Sequence, residues 1–198
     1  MIEIDYITKA QRGDKQAFKF IFTSYRQKVY RTAFLVLKDY QYAEDVVQET
    51  FMQVYLKLDK LSNPVAFDKW LYRITMNLCI EVIRKHKKIS LEASKEDLDV
   101  DRENLVIDMN APESKLIEKE QQKSILKCIS ELPVKHRAVL ILYYYNDFDV
   151  KEIAEILGSM EGTVKSRLFY GRRLLKEALK AEGLDMPENT DGGVMYGN

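Results

Sequence analysis

DVKEIAEILGSMEGTVKSRLFYGRRLLKEAL, Asp149 to Leu179, is the stretch whose reading decides the fold. It reads as two helices joined by a tight turn. In the first, Val150, Ile153, Ala154 and Leu157 recur at i, i+3, i+4 and i+7, one apolar stripe. Asp149 is placed to cap its start, and Glu152 three residues on completes a capping box. Gly158 ends it as a residue free to take positive φ. In the second helix Val164, Leu168, Gly171 and Leu175 fall on one side at about 100° per residue. The opposite side carries Gly162, Ser166, Phe169 and Arg173, flanked by Lys165 and Tyr170.

That outer face has the residue types that duplex DNA asks for. Lys and Arg neutralise phosphate or donate to guanine, Ser donates to phosphate or base, and Phe can meet a thymine methyl. A helix-turn-helix lays its second helix in the major groove in this way. The bland alternative is a solvated amphipathic helix in a bundle, but an exposed Phe among cations is unusual there.

Composition narrows the rest. The chain has 198 residues, zero formal net charge, few Gly and Pro, and many Leu, Ile, Lys and Glu. An all-α chain of one large or two small domains follows. Zero net charge excludes a uniformly basic DNA-coating protein, so any basic surface is local. Cys79 and Cys128 sit within apolar helical patterns without metal-ligand neighbours, and read as buried hydrophobes in a reducing cytosol. Charges interrupt every apolar run, so no signal peptide or membrane span is expected and the chain should be cytoplasmic. His86 and His136 lack a nucleophile or carboxylate at telling spacing, and there is no Gly-rich phosphate loop. Neither catalysis, nor a cofactor, nor a metal is expected.

Working back up the chain, helical patterns run from about Tyr6 to Arg12, Lys15 to Lys38, Tyr42 to Leu58 and Ala66 to Lys87. They give a first helical domain over 1–88. An acidic, aperiodic stretch over 89–115 reads as a flexible linker. A second helical domain over 116–183 starts with a helix over about Glu113–Leu132, then Val134–Asn146 behind Pro133, then the helix-turn-helix. The tail, 184–198, has no helical pattern and reads as disordered.

The first domain shows two unlike faces. The helix through YAEDVVQETFMQVYLKL is expected to bury Val47, Phe51, Val54, Tyr55 and Leu58 and to display Asp45, Gln48, Glu49 and Met52. Such an acidic, amide-rich face is either solvated or a dock for a partner helix. In FDKWLYRITMNLCIEVIRKHKK the inner stripe is Phe67, Leu71, Ile74 and Leu78, while Arg73, Asn77, Ile80 and Arg84 form another line. Trp70 and Tyr72 add aromatic surface, and Arg84, Lys85, His86, Lys87 and Lys88 close the helix with a basic run. Cations interleaved with aromatics suit single-stranded DNA, although Phe67 and Trp70 can equally be core.

Taken together, GDKQAF (13–18), AEDVVQETFMQVY (43–55), WLYRITMNLCIEVIR (70–84) and the run from Glu131 to Leu175 resemble an extracytoplasmic-function sigma factor of the sigma-70 family. The likeness covers about Asp5 to Leu179. It implies a bacterial alternative sigma factor that binds core RNA polymerase and directs promoter-specific initiation. Asp45, Gln48, Glu49 and Met52 would grip the β′ clamp helices, with the β subunit as a second contact. Asn63, Phe67, Trp70, Tyr72, Arg73 and Asn77 would read the melted −10 element, with Arg84, Lys85, Lys87 and Lys88 on nearby phosphates. Thr163, Lys165, Ser166, Phe169, Tyr170 and Arg173 would read the −35 duplex, with Arg167 and Arg172 toward its backbone. The linker would thread the polymerase's basic channels. An anti-sigma factor, often membrane-bound in this family, is an implied partner. Many members carry Arg where this chain has Tyr143 and Lys165, and a further Arg near Tyr170, so its −35 preference should be its own. The alternative is a dimeric helix-turn-helix regulator that acts on duplex operators without polymerase.

Overall fold

The computed structural model describes residues 4–93 and 116–184. Among them there is no strand. The helices are α1 (Ile4–Gln11), α2 (Lys15–Leu37), α3 (Tyr40–Lys57), α4 (Phe67–Ala93), α5 (Leu116–Glu131), α6 (Val134–Leu140), α7 (Val150–Leu157) and α8 (Glu161–Ala181). The expected tail lies outside the described residues apart from Leu184, and so does the linker beyond Ala93, because α4 continues past the expected end at Lys87.

Local chemistry sets the helix ends. Asp14 caps α2 by accepting from the amides of Gln16 and Ala17, and Asp39 caps α3 by accepting from that of Tyr42. Both hydrogen bonds of the Asp149–Glu152 capping box are present on α7. Gly158 ends α7 at φ 59°. At Gly171 a Cβ would lie 3.2 Å from Leu140 Cδ1 and 3.4 Å from His136 Cβ, so glycine lets α8 press onto α6. The expected helix over Val134–Asn146 is instead α6 followed by a π-helical turn, Ile141–Tyr145.

Two apolar cores form. The first joins α1 to α4 through Ile7, Ile21, Tyr25, Val29, Val47, Phe51, Val54, Phe67 and Leu71. The second does not respect the boundary between the halves. It runs from Ala33, Val36, Val46, Tyr72, Met76 and Cys79 into Leu132, Val139, Leu142, Phe148, Ile153, Val164 and Leu168. The two helical domains therefore pack directly on each other, with α4 against α7. Cys79 and Cys128 are buried and unbonded, and burial pushes the Cys79 thiol up to about 12.

Polar groups fix the register of that contact. The Tyr72 ring meets Phe148 edge-on, 5.2 Å between centroids. Asn146 Nδ2 donates to Thr32 Oγ1 at 3.0 Å, and Thr32 donates to the Lys28 carbonyl at 2.8 Å. The Tyr72 hydroxyl lies beside both side chains without a well-formed hydrogen bond, and burial pushes its pKa up.

Arg137 is the least expected member. It is 4% exposed and takes part in none of the ion pairs among the described residues. Its guanidinium donates to the carbonyls of Ser130 and Leu132, and to that of Val36 at 2.6 Å. Val36 and Ser130 lie in the last turns of α2 and α5, where carbonyls have no helical partner and the macrodipole is negative. Burial lowers the Arg137 pKa to about 10, so the group stays charged at neutral pH.

Arg137→Met should leave these carbonyls without donors and cost on the order of 2–4 kcal/mol in urea denaturation. Arg137→Lys should recover less than half of that, because one ammonium cannot fork between two helix ends. Phe148→Asp should place a charge against Tyr72 and part the halves. Small-angle scattering should then show a larger radius of gyration while circular dichroism shows unchanged helicity. An unchanged radius would mean that this contact does not hold the halves together.

Candidate nucleic-acid interface

The buried stripe of α8 is Val164, Leu168, Gly171 and Leu179. That burial turns Lys165, Ser166, Phe169, Tyr170 and Arg173 outward, all of them exposed, with Thr163, Arg167 and Arg172 half-buried at the flanks. Phe169 is 58% exposed, a large apolar side chain held in water among cations. Its ring meets that of Tyr170 edge-on at 5.4 Å. Lys135 and His136, at the start of α6, line a groove with Thr163, Ser166, Arg167, Tyr170 and Arg173. The sequence reading did not include this pair, because only folding brings α6 beside α8. His136 Nδ1 lies 3.1 Å from the Arg167 carbonyl and ties the two helices.

The arginines of α8 differ in their engagement. Arg173 Nε pairs with Glu177 at 3.1 Å. Arg167 reaches Ser159 Oγ at 3.4 Å. Arg172 Nε donates to the Tyr144 hydroxyl at 2.8 Å, and its guanidinium carbon lies 5.4 Å and 5.6 Å from the ring centres of Tyr143 and Tyr144.

On α4, Arg73, Asn77, Arg84 and Lys85 are exposed and Ile80 is half-buried, so this line faces outward. Lys85 pairs with Glu81 at 2.8 Å. The side chains of Lys87 and Lys88 lie outside the described residues. Asn63 is exposed and caps the turn before α4 by accepting from the Val65 amide at 3.1 Å. Trp70 is half-buried with its ring tilted against that of Phe67 at 6.1 Å. Phe67 is a correction to the expected surface. It is 1% exposed and packs on Tyr25 and Leu71, where no nucleotide reaches it. Tyr72 is likewise covered, here by Phe148, so it becomes accessible only when the halves separate.

The outer face of α3 carries Asp45 and Gln48 exposed, Glu49 half-buried and Met52 exposed. Glu49 accepts from Gln53 Nε2 at 2.9 Å. Two further residues join this face. Leu56 is 63% exposed on the same side as Met52, and Tyr55, expected inside, is 60% exposed at its edge. The exposed face of α3 is thus mixed, acidic and apolar.

Comparison with known proteins accounts for both halves. A family profile for Sigma-70 region 2 matches residues 21–89, and one for Sigma-70, region 4 matches residues 122–175. The chain is 34% identical over 177 residues to the ECF RNA polymerase sigma factor SigW of Bacillus subtilis, covering 88% of this chain and 95% of that one. It is 29% identical to the RNA polymerase sigma-H factor of Pseudomonas aeruginosa, over 88% and 92% of the two chains. Among solved structures, its fold is similar to that of the sigma factor RpoE in complex with the anti-sigma factor NepR from Bartonella quintana. There the TM-score is 0.66 at 22% identity, over 83% of this chain and 98% of that one. CnrH in complex with the cytosolic domain of CnrY gives a TM-score of 0.64 at 20% identity, over 90% and 97%. A dimeric operator-binding regulator would share the helix-turn-helix but not the first half, so that alternative is set aside. With both halves and nearly the full length of its relatives matched, the chain belongs to the extracytoplasmic-function sigma factors of the sigma-70 family.

Proposed function

We propose that the three outer faces divide the work of promoter-specific initiation among them. The acidic and apolar face of α3 (Asp45, Gln48, Glu49, Met52, with Leu56) docks on the β′ clamp helices of core polymerase. The basic line of α4 (Arg73, Asn77, Arg84, Lys85), with Trp70 and Asn63, takes the single-stranded −10 element. The outer face of α8 (Thr163, Lys165, Ser166, Phe169, Tyr170, Arg173), flanked by Arg167 and Arg172, takes the −35 duplex. Residues 1–88 and 116–183 are the two working domains, 89–115 is the acidic linker that follows the polymerase's basic channels, and 184–198 is a tail. The chain performs no chemistry of its own.

The observation that carries this reading is the opposition of character on one small body. An exposed acidic and apolar face on α3 coexists with exposed basic and aromatic faces on α4 and α8. Over the whole chain 31 Lys and Arg are offset by 31 Asp and Glu, so the net charge is zero. It also implies weak binding of the free chain to DNA, since affinity for DNA rests on phosphate neutralisation. Tyr72 beneath Phe148 points the same way. Docking on polymerase favours a state in which the halves part, and the ligand shifts the equilibrium by its differential affinity. An anti-sigma factor that prefers the closed arrangement would oppose it, and one solved neighbour is the sigma factor RpoE in complex with the anti-sigma factor NepR. A cytoplasmic location follows from the partner. No described helix is long and apolar enough to cross a membrane.

Run-off transcription with purified core polymerase tests the whole reading. The full chain should yield promoter-specific transcripts, and their absence with unaided palindrome binding would sink it. Asp45→Arg should weaken core binding roughly tenfold or more through like-charge contact. Phe169→Ala combined with Arg173→Ala should leave core binding intact and remove dependence on the −35 element, about 1–3 kcal/mol for each lost contact.

A further inference from the structure

Arg172 differs from the other arginines of α8 in how it is held. Arg173 is neutralised by Glu177, and a phosphate would have to displace that carboxylate. Among the described residues Arg172 is held by uncharged groups alone: one hydroxyl on Nε and two ring faces within cation–π range. No carboxylate among those residues pairs with it, and neither Nη group has a partner among them. Arginine gives up much side-chain rotamer entropy when it is fixed, and ordering it beforehand removes part of that loss from any later contact.

The rings of Tyr143 and Tyr144 meet edge-on, 5.0 Å between centres, within the π-helical turn Ile141–Tyr145. Such turns are rare and recur at functional sites. On α8, Lys165, Phe169, Arg172 and Lys176 recur at i, i+4, i+7 and i+11, so the caged guanidinium stands in one line with two exposed cations and the exposed Phe. Neither Lys165 nor Lys176 takes part in an ion pair among the described residues. The occupant that fits a row of unneutralised cations beside a major-groove reader is a run of backbone phosphates.

We propose that Tyr143 and Tyr144 are positioning residues that hold the fully charged Arg172 guanidinium at the flank of α8, where it clamps a backbone phosphate of the −35 duplex. The clamp rests on the reading of α8 given above. It assigns Tyr143 and Tyr144 a task that does not include reading bases.

The test uses holoenzyme reconstituted from core polymerase and the full chain. The probe is a duplex promoter that this holoenzyme transcribes, with a copy whose −35 element is scrambled as control. Affinity is measured across a salt series. Arg172→Gln should weaken binding roughly tenfold and lower the salt slope by about one, as expected when one phosphate contact is lost. Tyr144→Phe keeps the ring and removes the hydroxyl, and should weaken binding about threefold with the slope unchanged, because the cation remains but is no longer ordered. Tyr143→Leu combined with Tyr144→Leu should weaken it further, again at constant slope. In the Arg172→Gln background the tyrosine substitutions should have no additional effect. Thermal melting of each variant separates this outcome from unfolding, and Tyr144→Phe stands as the informative variant where the double change proves unstable. The clamp is overturned if the tyrosine effects persist without Arg172, which would make the rings direct DNA contacts. It is also overturned if Tyr144→Phe changes nothing, or if Arg172→Gln weakens core binding instead of DNA binding, which would place an acidic protein segment there. Failure of the wild-type holoenzyme to distinguish the scrambled −35 control would instead overturn the reading of α8 itself.

Discussion

A buried guanidinium that answers helix ends instead of a carboxylate is the constraint on which the rest of this structure depends. Arg137 sits where α2 and α5 both terminate, and it donates to a carbonyl of each. A cation taken out of water is expensive unless its donors are satisfied. The orphan carbonyls of two helix ends supply both hydrogen bonds and a favourable dipole. Their geometry is rigid, so the second half meets the first in one register. Thr32 with Asn146, and Tyr72 with Phe148, fall into place around it.

That register has a functional consequence. The same packing leaves the outer faces of α3, α4 and α8 open and covers Tyr72. The contact between the halves is rich in small and medium apolar groups, with a polar cluster at its edge. The surface ion pair Lys69–Glu155, at 2.7 Å, adds little, since exposed pairs contribute at most about 1 kcal/mol. A closed state held mainly by apolar burial, with one demanding polar fixture, is separable by a partner that binds the open state better. The chain thus carries its own competition between packing on itself and packing on polymerase and promoter.

The arginines of the chain illustrate how one residue type is given different tasks by its surroundings. Arg137 is a structural cap, Arg173 is held by a carboxylate, and Arg172 is held by phenol and π faces that leave its charge intact. Contacts make these distinctions, within α8 for Arg173 and between elements for Arg137 and Arg172, because the side chains are chemically identical.

What the amino-acid order determined by itself was local. The Asp149–Glu152 box, the Gly158 stop and the outward set on α8 were legible because each depends on residues within a turn or two. The outward line Arg73, Asn77 and Arg84 was legible for the same reason. The inner stripe of α4 already placed Phe67 inside, against the role the resemblance gave it; Tyr55 and Tyr72 were not legible, since periodicity ranks faces of a helix but does not say which neighbour covers them. Phe67 is buried by Tyr25 and Leu71, Tyr72 by Phe148, and Tyr55 is left in water at the edge of its stripe. Nothing in the sequence separates Arg137 from a surface cation, the ordinary fate of arginine, and the resemblance places Arg172 only toward a DNA backbone. The tertiary structure alone decided that one closes two helix ends and the other lies between two tyrosines. Those partners are distant in the chain, and a charge or a ring acquires its meaning only from the groups that folding brings beside it.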